Sequence, residues 1–498
     1  MSAIAGMMGK KTVENNDVSG LLSKMKHRGP EKERVFSKKN VCIGHRSLTD
    51  LELQKRKEAF GNHDGSIYVV CDGEMGQMCP EKKRSLLDLY EQSGTDFVKG
   101  LQGPFAFLLA DYRQEEPVLV AARDYLGAKP LYYVEEKNKL YFSSEMKSLI
   151  SLDKEVHVFP PGHYFHSEEG FVEFDEVETS SQKINGHNEN INRVEKRIRG
   201  YLTESVKTSL DGPKEVGLML SGGLDSSLVA GIVKEISPVK RKSFCVGSPG
   251  SQDILAAREV AEALDTEHFE YEYTLGEMIE ALPKVIYFLE SFEPSLVRSA
   301  VPNYFAFKMA SEHVDLVLSG EGADELFSGY DYLKDIMDPQ QLDEELIRVI
   351  NSLHHIGLQR GDRMSAAHGI EVRTPFLDRE LMEYALRIPV KWKLKQGKEA
   401  VIEKWILRKA FDGKSQVPSD IIWRDKQEFS EGSGAKDCIR DFMAGSVSDE
   451  EFTEKQQRIM EKDDIDIRSK EELYYYEIFK KFYVDPRLAR QVGRWETI

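Results

Sequence analysis

The sequence predicts an α/β protein of two domains, and three observations carry that expectation. At 498 residues the chain is longer than one hydrophobic core usually serves. Up to about Phe174 it is rich in short apolar runs of strand type, punctuated by Gly and Pro. Beyond a polar stretch, EVETSSQKINGHNENIN, the pattern changes to strand–loop–helix units, which predict a parallel sheet with helices on both faces. Domains are therefore expected at residues 1–174 and 193–498, joined by a linker at 175–192.

The elements justify this in order. The chain opens on a short apolar run, Ala3-Ile4-Ala5-Gly6-Met7, headed by Ser2, which becomes the first residue if the initiator Met is removed. IYVVCDG, FAFLLADY, PVLVAARD, LYYV and KLYFSSE follow as strands, interrupted by a helix, EKKRSLLDLYEQSG, whose Leu86, Leu87 and Tyr90 fall at helical spacing. After the polar stretch, VGLMLSGG leads into LDSSLVAGIVKEI, KSFCVG precedes AAREVAEALD, and VDLVLSGEGADELFSGY repeats the alternation. Past Asp378 the chain is mainly helical and charged.

Composition narrows the function classes. A formal net charge of −17 argues against nucleic acid as a partner, because phosphate backbones are held by clustered Lys and Arg. No apolar stretch approaches a membrane span and no charged-then-apolar leader opens the chain, so a cytoplasmic protein without membrane contact is expected. Five cysteines, Cys42, Cys71, Cys79, Cys245 and Cys438, show no CxxC spacing, so neither a disulfide framework nor a Cys-rich zinc site is expected.

LMLSGGLDSS carries the most chemistry. An apolar strand delivers Ser221-Gly222-Gly223 to the start of a helix, where free N–H groups and the helix dipole hold a phosphate. Ser221, Ser226 and Ser227 add hydroxyl donors. Asp225 makes sense beside a phosphate if Mg²⁺ bridges the two. The turn is neither a Walker loop nor a dinucleotide fingerprint. A second turn, LSGEGADELFSGY, places Glu321, Asp324 and Glu325 within one helical turn. Ligands of a parallel sheet gather outside the C-terminal strand ends, which brings Asp324 towards Asp225 for a shared Mg²⁺.

SGGLDSS, FCVGSPGSQD, LSGEGADELFSGY, DRMSAAHGIEVRTPFLD, GKEAVIEKWILRKAF and WRDKQEFSEGSG, in this order, resemble the synthetase half of glutamine-type asparagine synthetases. HRGPE, IGHRSL, DGE, LQGPFAFLLAD, ARDYLGAKPLYY and SSEMKSLI resemble that family's glutaminase half. The resemblance implies an N-terminal αββα sandwich of the Ntn-hydrolase type and a C-terminal ATP-pyrophosphatase domain. It implies ATP and Mg²⁺ as cofactors, with aspartate adenylated to β-aspartyl-AMP and ammonia then displacing AMP. Carried over by motif, Ser221, Gly222, Gly223, Asp225 and Ser226 hold pyrophosphate and Mg²⁺, while Asp324 is the second metal candidate from the strand-end reading above. Leu220, Val246, Ser319 and Gly320 line the nucleotide site. Lys426 meets the reacting phosphate, where a cation offsets growing charge. Arg298 is the candidate for the substrate carboxylate, and Glu321 for the acid that contacts the intermediate and takes a proton from ammonia. Where members often carry two threonines before the arginine, this chain has Ser295 and Leu296. Relatives that close β-lactam rings share the architecture, so a specialised amide or β-lactam-type synthetase and a non-catalytic ATP-binding relative stand as alternatives.

The glutaminase half departs from its family pattern. A processed N-terminal Cys is the nucleophile there; the same register here gives Ser2, and a hydroxyl lacks the thiolate fraction of a thiol. The arginine that grips the glutamine carboxylate aligns with Ser47, with Arg46 one place off. The oxyanion-hole asparagine aligns with Asp72, and a carboxylate repels an oxyanion. The aspartate that holds the glutamine amine falls near Lys82, while Gly73 and Glu74 remain. These changes predict a domain that no longer hydrolyses glutamine, so that ammonia comes from solution or a separate donor. A homodimer is the expected assembly. Cys42 and Cys71, at the ends of apolar strands, read as core residues rather than substitute nucleophiles.

Overall fold

The computed structural model describes residues 2–47, 61–73, 85–177, 183–184, 190–212, 215–397, 400–427 and 429–495. The first domain is a four-layer sandwich. Strands β1 (Ser2–Gly9), β2 (Lys32–Lys38), β3 (Val41–Ser47), β7 (Tyr132–Glu136), β8 (Lys139–Ser143) and β9 (His157–Val158) form one sheet in the order β2-β3-β1-β8-β7-β9. The second sheet orders β11 (Gly170–Glu173), β10 (His163–His166), β6 (Val118–Arg123), β5 (Phe105–Asp111) and β4 (Ile67–Gly73) as β11-β10-β6-β5-β4. All pairings in both sheets are antiparallel.

Alternation along each strand puts every second side chain between the sheets. Ile4, Ile43 and Phe142 from the first sheet meet Val70, Leu108 and Ala121 from the second. The outer faces are covered by helices. Val18, Leu21 and Leu22 of α1 (Asn15–Ser23) cluster with Ala3, Ala5 and Met7 of β1. Leu86, Leu87 and Tyr90 of α2 (Leu86–Ser93) cluster with Val69, Cys71 and Phe107. Ser85 starts α2 as a capping box, its hydroxyl accepting from Asp88 N–H while the Asp88 carboxylate accepts from Ser85 N–H. The result is the αββα order.

The second domain holds a five-stranded, wholly parallel sheet. Its strands β12 (Val216–Met219), β13 (Lys242–Gly247), β14 (Glu267–Glu272), β15 (Leu316–Leu318) and β16 (Glu371–Arg373) run in the order β14-β13-β12-β15-β16. One face packs Leu218, Cys245 and Leu316 on α3 (Ile191–Leu210), α4 (Leu224–Ile236) and α5 (Gln252–Leu264). The other packs Phe244, Val246 and Val317 on α6 (Leu275–Leu289) and α7 (Pro294–Ser311). Strand order reverses at β12, so the loops after β12 and β15 flank the crevice where a doubly wound sheet takes its ligand. Helices α8 (Gly357–Ala367) and α9 (Lys470–Phe482) complete the surroundings. Among the described residues no helix is long and apolar enough to cross a membrane.

Cys42, Cys71 and Cys245 are buried and free of disulfides, and burial pushes the Cys42 thiol up to about 12. Cys79 lies outside the described residues.

Candidate functional site

The loop after β12 is built to receive an anion. Gly222 has φ +70°, and a Cβ there would lie 2.4 Å from the Ala256 carbonyl carbon, so only glycine fits. Ser221 and Ser226 hydroxyls approach to 3.2 Å, and Gly223 N–H donates to Ser221 Oγ at 3.3 Å. The loop is thereby shaped by its own hydroxyls before any ligand arrives. Opposite, Gly320 lets the β15 loop press on this one: a Cβ would sit 2.8 Å from Ser226 N.

Between the two loops the acids meet as the strand ends dictate, but a lysine joins them. Lys404, 1% exposed, donates from Nζ to Asp225 Oδ2 at 2.5 Å and lies 2.6 Å from Asp324 Oδ1. Lys426 Nζ donates to Asp324 Oδ2 at 2.7 Å. Burial works against the Asp324 charge, yet Lys404 and Lys426 hold its carboxyl well below the ordinary range. Burial likewise opposes the Lys426 charge, and Asp324 and Asp225 outweigh it, raising that ammonium above its usual value. Asp225 Oδ1 is buried without a hydrogen-bond donor among the described residues, whereas Asp324 Oδ1 faces Lys404. Two facing carboxylates beside a phosphate cradle, one of them with an open oxygen, fit Mg²⁺, which takes one or two carboxylates plus phosphate oxygens.

A cavity of about 580 Å³ gathers the candidates. Leu220, Ser221, Gly223, Asp225, Ser226, Val246, Arg298, Ser319, Gly320, Glu321, Asp324 and Lys426 all border it. Gly222 lies behind the loop, its carbonyl accepting from Arg424 at 3.2 Å. Glu325 does not converge with its neighbours as the helical spacing predicts. It is 3% exposed and accepts from Tyr330 OH at 2.6 Å, because only five residues, Ala323–Phe327, are helical and the turn carries it inward.

Each predicted substrate group has a protein partner. Arg298 Nη1 donates to Glu471 of α9 at 3.2 Å. Glu321 is paired with Arg360 of α8. Ser295 borders the cavity, whereas Leu296, 1% exposed, points into the core, so of that pair only Ser295 faces a substrate. Sequence reading missed Lys404, in the turn that precedes the helix Trp405–Phe411, and Arg360 of α8, neither of which has a local signature. It also missed Asp253, a cavity residue whose carboxyl burial pushes up to about 7 against the opposing pull of Arg424 and Lys426.

The glutaminase-type pocket is occupied by charge pairs. Ser2 N–H donates to Asp72 Oδ1 at 2.9 Å, and Arg28, fully buried, donates to Asp72 Oδ2 at 2.8 Å and to the Ser2 carbonyl at 3.1 Å. Ser47 lies opposite Ser2 on β3, buried, its hydroxyl without a hydrogen-bond partner among the described residues. Arg46 cannot replace the missing arginine: it points to the other face and donates to Gly29 O at 2.8 Å and Glu33 at 2.7 Å. Gly73 closes β4; Glu74 and Lys82 lie outside the described residues.

Arg28 also crosses to the second domain, donating to Asp362 of α8 at 2.6 Å, and it lies 3.2 Å from Glu145. Lys147 bridges Glu145 at 2.6 Å and Glu290 at 3.2 Å, and Arg363 reaches Glu290 at 3.0 Å. Lys129 stands 3.6 Å from Asp362 and borders the cavity. Four cations, Arg28, Lys129, Lys147 and Arg363, thus neutralise four carboxylates, Asp72, Glu145, Glu290 and Asp362, across the domain boundary.

An αββα amidotransferase sandwich joined to a parallel-sheet domain with a phosphate cradle defines a two-domain, amidotransferase-type ligase. The chain matches the asparagine synthase family over residues 197–341 and 333–497, and the glutamine amidotransferase domain over 1–77 and 83–178. It is 34% identical to a probable glutamine-hydrolyzing asparagine synthetase of Dictyostelium discoideum, covering 95% of this chain and 92% of that one. It is 32% identical to the glutamine-hydrolyzing asparagine synthetase B of Escherichia coli (strain K12), covering 94% of this chain and 88% of that one. A solved glutamine phosphoribosylpyrophosphate amidotransferase from B. subtilis, at 16% identity and TM-score 0.28, covers 54% of this chain and 65% of its own, too loosely to carry an argument. The chain belongs to the asparagine synthetase family, whose members are carbon–nitrogen ligases.

Proposed function

We propose that this chain makes an amide from aspartate and ammonia at the expense of ATP, and that its own first domain does not supply the ammonia. The observation that carries the second clause is Asp72. Its carboxylate aligns with the family's oxyanion-hole asparagine, accepts from Ser2 N–H and is locked by Arg28. A fixed negative charge there raises the barrier that an amide donor would lower. Ammonia then reaches the second domain from solution or from a separate donor, and residues 1–174 serve as scaffold.

In the second domain the acid's side-chain carboxylate attacks the α-phosphorus of ATP, a P–O bond to pyrophosphate breaks, and an acyl-adenylate forms. Ser221, Gly223 and Ser226 orient the departing pyrophosphate. Asp225 and Asp324 would hold Mg²⁺, which when bound neutralises phosphate charge. Lys426, raised above its ordinary value, stays protonated and meets the charge that grows on the reacting phosphate. Ammonia attacks the acyl carbon, AMP departs, and Glu321 takes the proton released by nitrogen. Arg298 holds a substrate carboxylate, exchanging Glu471 for it.

A screen of amino-acid carboxylates for pyrophosphate release, with ATP, Mg²⁺ and ammonium, tests the first clause. Aspartate-dependent release supports it, and release that is indifferent to aspartate but follows another acid overturns it.

A further inference from the structure

We propose that Asn303 is a specificity residue that reads the edge of the adenine ring; this rests on the ATP-dependent reading above. Helix α7 turns one face to the cavity, carrying Ser295, Arg298, Ser299, Asn303 and Phe307. At 1.5 Å per residue, Asn303 lies roughly 7–8 Å beyond Arg298 and about one turn before Phe307. It therefore sits past the acid end of the helix, next to the apolar wall that Phe307 forms with Met219, Phe244 and Val246 at the β12–β13 side.

The hydroxyls of this face are already engaged. Ser295 donates to Glu293 at 2.6 Å, and Ser299 donates to the Ser295 carbonyl at 2.7 Å. Asn303 differs: it is only 8% exposed, borders the cavity and has no hydrogen-bond partner among the described residues. Its amide is not sealed in the core but open to the cavity, where the donors and acceptors of a ligand can pair with it. One acceptor and two donors on a flat amide match the N6–H donor and N7 acceptor of adenine, and mismatch guanine, which presents two acceptors on the same edge. A ring seated on an apolar wall with one polar contact at its edge is the usual make-up of a small-molecule pocket.

Equilibrium binding of ATP, 7-deaza-ATP and GTP, each with Mg²⁺, to the full chain and to Asn303→Leu and Asn303→Asp tests this without requiring turnover. A good bidentate pair predicts that the native chain prefers ATP to GTP, and ATP to 7-deaza-ATP, the latter by about 5-fold or more. Asn303→Leu should weaken ATP by about 5- to 150-fold and abolish its advantage over 7-deaza-ATP. The near-isosteric Asn303→Asp, which loses the donor to N7, should weaken ATP in the same direction and guards against misfolding of the leucine variant. Unchanged ATP binding and an unchanged 7-deaza ratio in both variants would overturn the assignment while leaving the ATP-dependent reading intact. In a parallel turnover assay, an increase confined to the aspartate KM would overturn it too, by placing Asn303 in the acid subsite. Failure of the native chain to bind ATP would instead sink the reading on which it rests.

Discussion

Replacing Arg28 by Met removes the centre of the buried charge network. Arg28 is 0% exposed and touches Asp72, Glu145 and Asp362 at 2.8, 3.2 and 2.6 Å. Breaking a buried ion pair by deleting one partner costs about 3–5 kcal/mol, because the remaining charge is left uncompensated. At roughly 2–4 °C per kcal/mol for a domain of this size, the melting transition of the first domain should fall by on the order of 10 °C. Calorimetry at pH 7 reads this directly. The pH dependence gives a second test. Burial opposes the Asp362 and Glu145 charges, yet Arg28 and Lys129 hold Asp362, and His27 and Lys147 hold Glu145, below the ordinary carboxylate range. Groups with depressed folded values stabilise above their unfolded values of about 4, and that stabilisation is lost as pH falls through the folded values. The deficit of the Arg28→Met variant should therefore shrink below about pH 4. A loss under about 1 kcal/mol at pH 7, the range of exposed pairs, would refute the reasoning.

Three further outcomes follow from the same geometry. Lys426→Ala and Asp225→Asn should each lower pyrophosphate release by about 10²–10³-fold or more, measured at saturating ammonium, since each removes a charge fixed at the phosphates. Ser2→Ala should leave ammonium-dependent turnover within about twofold of native, since Ser2 joins its network through backbone atoms; a large loss would mean the hydroxyl has a role. Lys393 is fully buried without a hydrogen-bond partner among the described residues, and burial lowers it to about 7. Unfolded lysine keeps its proton to about pH 10, so native stability rises between pH 7 and 10, and Lys393→Met should stabilise by on the order of 1–3 kcal/mol at pH 6, with the gain shrinking as pH rises.

Much of the fold was legible because its signals are local. IYVVCDG and FAFLLADY become β4 and β5 as read, and the glycine turn of LMLSGGLDSS falls between β12 and α4. The acidic pair was legible for a topological reason: both residues follow strands that flank the reversal of the sheet. Lys404 was not, since it meets Asp225 across 179 residues from a turn that carries no distinguishing pattern. The Arg28–Asp362 pair, 334 residues apart, is equally silent in sequence. Within the glutaminase half, Ser2, Ser47 and Asp72 could be set against a family pattern, but that Arg28 ties Ser2 to Asp72 needed three dimensions. Asn303 was hidden by its own helix, where Ser295, Ser299 and Asn303 recur at four-residue spacing like any helical face.

The central claim is that the synthetase half works on ammonia while the first domain is chemically silent. The most direct test compares ammonium with glutamine as nitrogen source in the native chain, with aspartate, ATP and Mg²⁺, following pyrophosphate and glutamate together. The account predicts pyrophosphate release with ammonium, and with glutamine neither glutamate nor release above background. Glutamine-dependent turnover equal to that with ammonium, accompanied by stoichiometric glutamate, would contradict it.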